Sequence, residues 1–338
     1  MIIRAALVGL GSVNRHLMAI LADKKDRLQQ DHGVEIRLVA LVDSRGVAVA
    51  ADTQGYDPRE ICTAKEAGKS TADLPGYLPG RSMVELIETL DCDLVFEASP
   101  VDLVTGGPGL AVARKALGRG IAVVLANKGP LVLAYHELHE LAARHNTGLG
   151  FSATVCGGLP IINMGRRDMI AADISRLRGI FNSTSNFILG EMATGRSYDD
   201  ALAEAQRRGI AETDPSLDVG GWDTANKLVI IANAILRMKV GLGDVTVEGI
   251  TAITPGMIAA AAAEGKIYKL VASAEGGKLS VAPLALPKDD FLAHCDGWEM
   301  GVEIHSDIYG IMYHKLWERE PTPTAASMLR DAVNIFCG

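Results

Sequence analysis

Short β-branched and apolar runs, each stopped by a glycine, aspartate or asparagine, alternate through the first half of the chain with stretches whose apolar residues recur at helical spacing. Ile2 to Val8 ends at Gly9 and predicts a buried strand, and Val13 to Leu21 behind it predicts an amphipathic helix. Ile36 to Val42, ending at Asp43, and Leu94 to Ala98, ending at Ser99-Pro100, repeat the strand pattern. Gly109 to Gly120 has helical spacing, and Ile121 to Leu125 is a further buried strand that runs into Ala126-Asn127-Lys128. Strand and helix in alternation imply the α/β class, with a doubly wound parallel sheet. The polar stretch Gly55 to Gly80, rich in Gly, Pro and Lys, interrupts the pattern and predicts a surface excursion over one sheet edge.

The texture changes near Gly148, after which longer helices, shorter strands and acidic loops predict a second, α+β domain. Met257 to Gly265 is alanine-rich and helical, while Lys266 to Glu275 and Lys278 to Leu284 flank Gly276-Gly277 as a hairpin does. Thr324 to Phe336 carries Met328, Leu329, Ala332, Val333 and Phe336 on one side and predicts a helix that returns to the first domain. The expected division is a dinucleotide-binding domain over 1–147, a substrate and dimerisation domain over 148–310, and a returning C-terminal segment over 311–338.

Composition narrows the functional classes. A chain of 338 residues is longer than one hydrophobic core commonly supports, and 48% hydrophobic with 22% charged residues is the balance of a globular enzyme. A net charge of −8 argues against nucleic acid as a partner. The apolar runs are too short to cross a bilayer, and the start leads straight into a strand without the order of a secretory signal, so a cytoplasmic protein with no membrane span is expected. The five cysteines are scattered and lack paired spacing, which suggests neither disulfides nor a zinc site.

Gly9-Leu10-Gly11-Ser12-Val13-Asn14 lies where a strand turns into a helix, the setting of a Rossmann-like dinucleotide fingerprint, with Asn14 in place of the third glycine. Gly9 permits the tight turn, Gly11 the approach of a pyrophosphate, and Ser12 and Val13 open the helix whose N-terminus attracts the negative charge. Asp43 ends the second strand, where a carboxylate can accept from an adenosine ribose, while Arg45 can instead face a 2′-phosphate, so NAD and NADP both remain open. Ser99 and Pro100 follow a later strand at the carboxyl edge, where such sheets bind ligands.

The densest chemistry lies between Gly209 and Lys227, where Glu212, Asp214, Asp218 and Asp223 crowd a glycine-bounded loop. Asp223 and Lys227 stand one helical turn apart ahead of the apolar run Leu228 to Leu236, so they share a face at the edge of a core. A lysine so placed is one whose pKa burial can draw down toward working pH.

This segment, with its Glu-x-Asp-Pro leading to an Asp and a Lys, resembles the signature of the homoserine dehydrogenases. Ala126-Asn127-Lys128, Ala153 to Ile162 and Asn182 to Leu189 resemble that family's other motifs in the same order. The resemblance implies reversible oxidation of L-homoserine to L-aspartate 4-semialdehyde with NADP or NAD. It implies Lys227 as general acid/base, Asp223 positioning it or the substrate, and Lys128 near both nicotinamide and substrate. Glu212 would meet the substrate ammonium, with Asp218, Thr184 and Gly209 at its amino-acid end. Thr184 can equally cap the helix that starts ahead of Phe187. The family's monovalent-cation site would fall on the carbonyls of Val155, Gly157 and Leu159, with Ser152 where many relatives have a glutamate. Ser183 replaces a family glycine, and Tyr313 to Glu320 replaces a glycine-rich turn, its His314 and Trp317 expected on an edge hairpin. The short form of the family, without its regulatory amino-acid-binding module, and a homodimer are expected.

Overall fold

The computed structural model describes residues 1–319 and 321–338; Glu320, last in the altered C-terminal stretch, lies outside the described residues. The chain divides into two compact units, Met1–Gly158 with the residues after 320, and Leu159–Arg319.

In the first unit the strands are β1 (Ile2–Val8), β2 (Glu35–Asp43), β3 (Gly46–Val49), β4 (Tyr77–Leu78), β5 (Leu94–Glu97), β6 (Ala122–Leu125) and β7 (Leu149–Gly150). They form one sheet in the order β4-β3-β2-β1-β5-β6-β7. The pairings among β2, β1, β5, β6 and β7 are parallel, and β3 and β4 add an antiparallel edge. Leu7, Leu94, Phe96 and Val124 of the strands are buried with Leu17, Met18 and Leu21 of the helix Ser12–Asp23 and with Met328, Leu329 and Ala332 of the helix Thr322–Cys337. The one-sided spacing of both helices is thus satisfied by a common core.

Several expectations change here. β7 pairs with β6, so the parallel sheet runs past residue 147 and the division between the units falls after Gly158 rather than at 147/148. Of the segment 311–338, the part after 320, with the helix Thr322–Cys337, belongs to the first unit; its beginning is a strand of the second. The stretch Gly55 to Gly80 is more than a cover. It supplies the helix Pro58–Glu66, a 3₁₀ turn at Thr71–Asp73 and β4, and it reaches the end of β2 with hydrogen bonds described below. β3 gives too short a run to read from periodicity, because its pairing with β2 decides it.

The strands of the second unit are β8 (Ile174–Ile180), β9 (Val245–Val247), β10 (Lys266–Glu275), β11 (Lys278–Pro287), β12 (Glu299–Ser306) and β13 (Gly310–Trp317). Their order is β13-β12-β8-β10-β11-β9, antiparallel except where β9 meets β11. The β10–β11 hairpin turns at Gly276-Gly277, both at positive φ (56° and 77°), as a two-residue turn of this hand requires. The helices Ser183–Ala193, Trp222–Ile235 and Pro255–Ala263 pack on β10. Ile180 and Val271 bury against Leu286, Leu292 and Cys295. β13 is an edge strand with Ile311, Tyr313 and Trp317 exposed, while His314 on the same strand is half-buried. Among the described residues no helix is long and apolar enough to cross a membrane.

Candidate active site

The chemistry-bearing residues gather in two places, one in each unit. In the first unit a cleft of about 1000 Å³ opens at the carboxyl ends of β1, β2, β5 and β6. A second cavity of about 760 Å³ is lined by Asp91 to Asp93, Arg119 to Ala122 and Gly148, at the amino ends of the strands, where sheets of this kind do not place their ligands. The first is the candidate cofactor cleft.

Gly9, Gly11, Val13, Asp43, Arg45, Ser99 and Pro100 line this cleft, whereas Ser12 and Lys128 are not among its lining residues. Gly9 has φ of 84°, and a Cβ on it would come within 2.6 Å of the Ala98 carbonyl oxygen, so both turn and close approach demand glycine. Gly11 caps the helix Ser12–Asp23 in extended conformation, and a Cβ there would meet nothing within 4 Å, which leaves the space for a pyrophosphate open. Asn14 explains the missing third glycine. Fully buried, its amide donates to the carbonyls of Gly9 (2.8 Å) and Val8 (3.2 Å), tying helix to turn by hydrogen bonds where the fingerprint uses close packing.

Asp43 is engaged from within the unit. Its Oδ1 accepts from the Thr71 hydroxyl (2.7 Å) and the Arg45 N–H (2.9 Å), its Oδ2 from the Thr71 N–H (3.0 Å) and Lys65 Nζ (3.1 Å). Burial alone would lift its pKa, but these hydrogen bonds together hold it below the usual carboxylate value. At the end of β5, Glu97 is wholly buried; its Oε1 accepts from the Ser99 N–H (2.9 Å) and the Ser99 hydroxyl. Asn127, also buried, donates to the Ser99 hydroxyl (3.3 Å) and the Pro100 carbonyl (3.4 Å) and accepts from the Gly129 N–H (2.9 Å). Lys128 follows, half-buried, at the cap of the helix Gly129–Arg144.

In the second unit the helix Trp222–Ile235 starts at Gly221, whose φ of 80° and close neighbours Val247 and Val281 favour glycine. This start puts Asp223 and Lys227 on one face as their spacing predicts, with Lys227 Nζ 2.8 Å from Asp223 Oδ2. The ammonium also donates to the Phe181 carbonyl at 2.6 Å. Asn182 joins the acids: its amide donates to Asp223 Oδ2 (2.8 Å) and to Asp218 Oδ1 (2.7 Å), while its Oδ1 caps the next helix by accepting from the Ser185 N–H (2.8 Å). Lys227, Asp223, Asn182 and Asp218 therefore form one connected cluster, largely shielded from solvent, with side chains of Asp223 and Lys227 only 8% and 16% exposed.

Thr184 is not the cap; Asn182 is, and Thr184 lies inside the helix Ser183–Ala193, donating its hydroxyl to the Ile210 carbonyl (3.0 Å). That bond fastens the helix to the loop bearing Gly209 and Glu212. Gly209 follows the helix Tyr198–Arg207 at φ of 70°, and Glu212 is exposed, its backbone carbonyl accepting from Gln206 (3.2 Å). Ser183 opens its helix at an ordinary φ, so the position carries a side chain without backbone strain.

Of the carbonyls offered to a cation, that of Gly157 accepts from the Ser327 hydroxyl (3.0 Å) and that of Leu159 from the Ile161 N–H (2.8 Å); Val155 is buried. Ser152 donates its N–H (2.7 Å) and hydroxyl (2.8 Å) to buried Asp331. Among the described residues no group of three or more His, Cys, Asp or Glu side chains could hold a metal ion. Sequence reasoning missed Glu97, Asn127, Asn182 and Thr71 as site residues. Asn182, directly before a helical stretch, carried a cap signal that could have found it, whereas the partners of Thr71 and Glu97 follow only from the folded chain.

Comparison with known proteins supplies the family. The description "Homoserine dehydrogenase, NAD binding domain" matches residues 9–151 and "Homoserine dehydrogenase" matches residues 160–333. A homoserine dehydrogenase of Methanocaldococcus jannaschii is 35% identical, covering 98% of this chain and 97% of its own. An NAD(+)-dependent homoserine dehydrogenase of Pseudomonas canavaninivorans is 31% identical, covering 98% and 96%. The solved structure of a hyperthermophilic archaeal homoserine dehydrogenase in complex with NADPH superposes with a TM-score of 0.87 at 28% identity, covering 99% of this chain and 98% of that one. With both units matched in order and nearly end to end, this chain belongs to the homoserine dehydrogenase family.

Proposed function

We propose that this chain interconverts L-homoserine and L-aspartate 4-semialdehyde with a nicotinamide dinucleotide, NAD or NADP, and that Lys227 handles the proton. The observation that carries the reading is the buried cluster in which the Lys227 ammonium is fixed by Asp223 and by the Phe181 carbonyl. When bound, the dinucleotide supplies the carbon that takes or gives the hydride. Its fit rests on a cleft of about 1000 Å³ with a glycine turn, an open Gly11 and a helix N-terminus.

As the neutral amine Lys227 takes the hydroxyl proton while the alcohol is oxidised, and as the ammonium it returns that proton to the carbonyl oxygen in the reverse direction. Asp223 holds the amine in position, and Asn182 fixes Asp223 against rotation. In this reading Glu212 and Asp218 offer negative charge to the substrate ammonium, Thr184 and Gly209 shape its amino-acid end, and Lys128 contributes a cation beside nicotinamide and substrate. The carbonyls of Val155, Gly157 and Leu159 are the candidate donors to a monovalent cation in this reading. The exposed Ile311, Tyr313 and Trp317 of edge strand β13 support a homodimer formed through the second unit.

The test follows the absorbance of reduced dinucleotide as the purified protein meets aspartate 4-semialdehyde. The intact protein is expected to oxidise it, and Lys227→Ala to lose about 10²- to 10⁴-fold in kcat, the range of a lost general acid. No oxidation by the intact protein overturns the activity, and full activity in Lys227→Ala overturns the role of the lysine.

A further inference from the structure

The cofactor cleft has an end whose chemistry discriminates between the two dinucleotides. In sheets of this type the adenosine ribose lies at the carboxyl end of the strand that follows the first helix, here Asp43 at the end of β2. A carboxylate that selects NAD there must present oxygen lone pairs to the ribose 2′-hydroxyl. An ionised carboxylate has about four such acceptor directions. Asp43 has four donors on it already, from Thr71 (twice), Arg45 and Lys65, and its side chain is 11% exposed. It is a structural pin between β2 and the following insert, with no acceptor capacity left for a ribose diol.

The surroundings of that pin are cationic. Arg45, Lys65, Lys69 and Arg81 all line the same cleft, and Asp43 is the one acid among the lining residues. Lys65 is matched by Asp43, which leaves the exposed Arg45, Lys69 and Arg81 as a surplus of positive charge in a chain of net charge −8. Nearby acids are turned to other work: Asp73 accepts from the Ser70 N–H (2.8 Å) and hydroxyl (2.9 Å), and Glu85 from the Ser82 N–H (3.0 Å). The backbone of Arg45 is also fixed, since the Tyr77 hydroxyl donates to its carbonyl (2.9 Å). Lys69 and Arg81 reach the cleft on either flank of the 3₁₀ turn and β4, in or just beyond the polar insert.

We propose that the cleft is selective for the 2′-phosphorylated dinucleotide, NADP(H), with Arg45, Lys69 and Arg81 receiving its 2′-phosphate. A dianionic group gains from three cations what a neutral hydroxyl cannot, and the guanidinium groups add paired hydrogen bonds. The inference rests on the dinucleotide-dependent reading above and sharpens it to one cofactor.

The test is equilibrium binding, independent of turnover. NADPH and NADH are each titrated against the purified protein by quenching of its tryptophan fluorescence, with 2′,5′-ADP and ADP as competitors. NADPH is expected to bind at least about tenfold tighter than NADH, and 2′,5′-ADP to compete better than ADP. The preference should shrink at least about tenfold in Arg45→Ala/Lys69→Ala/Arg81→Ala and shrink further as ionic strength rises from about 0.05 to about 0.3 M, because screened charges no longer separate the two ligands. The single variants are measured as well, so that the result does not depend on the folding of the triple one. Equal binding of NADPH and NADH, or tighter NADH, overturns the 2′-phosphate assignment and leaves the dinucleotide reading standing. Failure of both dinucleotides to bind overturns both.

Discussion

At the end of β5 a carboxyl group sits with no exposure to solvent, and position rather than residue type sets its charge. Burial raises the Glu97 pKa to about 7, against the opposing hydrogen bonds from Ser99 and Asn127. The folded chain therefore keeps a proton there that the unfolded chain releases near the ordinary carboxylate value. Stability from this group is complete at acid pH and is lost as pH rises toward 7, by up to about 3 kcal/mol. Glu97→Gln keeps an oxygen for Ser99 and carries no charge. In urea unfolding at pH 5, 6 and 8 it should flatten the decline and exceed the parent in stability at pH 8; parallel profiles for the two proteins would contradict this. The shared face of Asp223 and Lys227 and the Gly9 turn were legible in the sequence, since each depends on neighbours within one helical turn. Glu97 was not legible, because its protonation depends on Ser99, Asn127 and the surrounding strands together.

Among elements, the helix Thr322–Cys337 shows how a sequence pattern becomes a docking interaction. Its apolar stripe predicted burial, and the core of the first unit takes Met328, Leu329 and Ala332. Its register is set by a polar contact that no stripe reveals: buried Asp331 accepts from both the N–H and the hydroxyl of Ser152, with Gly150 leaving room beside it. Ser152→Ala removes one hydrogen bond to a buried carboxylate and should cost about 2 kcal/mol in chemical denaturation. An unchanged midpoint would mean that the contact contributes nothing. A glutamate in place of Ser152 would set a second carboxylate against Asp331.

For the whole molecule, the open question of assembly turns on β13, whose exposed Ile311, Tyr313 and Trp317 are costly to leave in water on an edge strand. Sedimentation at micromolar concentration should give twice the mass of one chain, and Trp317→Glu should shift it toward a single chain; a monomer in the unaltered protein ends the proposal. The sequence by itself determined the two-part α/β design, the main strands of the parallel sheet, the β10–β11 hairpin and the pairing of Asp223 with Lys227. Each of these depends on periodicity or on residues close along the chain. Tertiary structure alone decided that β7 carries the first sheet beyond residue 147 and that β13 belongs to the second unit. It also decided that Asp43 is held by Thr71 and Lys65, and that Asn182 links Asp218 to Asp223. Hydrogen bonds and strand pairings between distant segments form only when packing brings those segments together, so no local pattern records them.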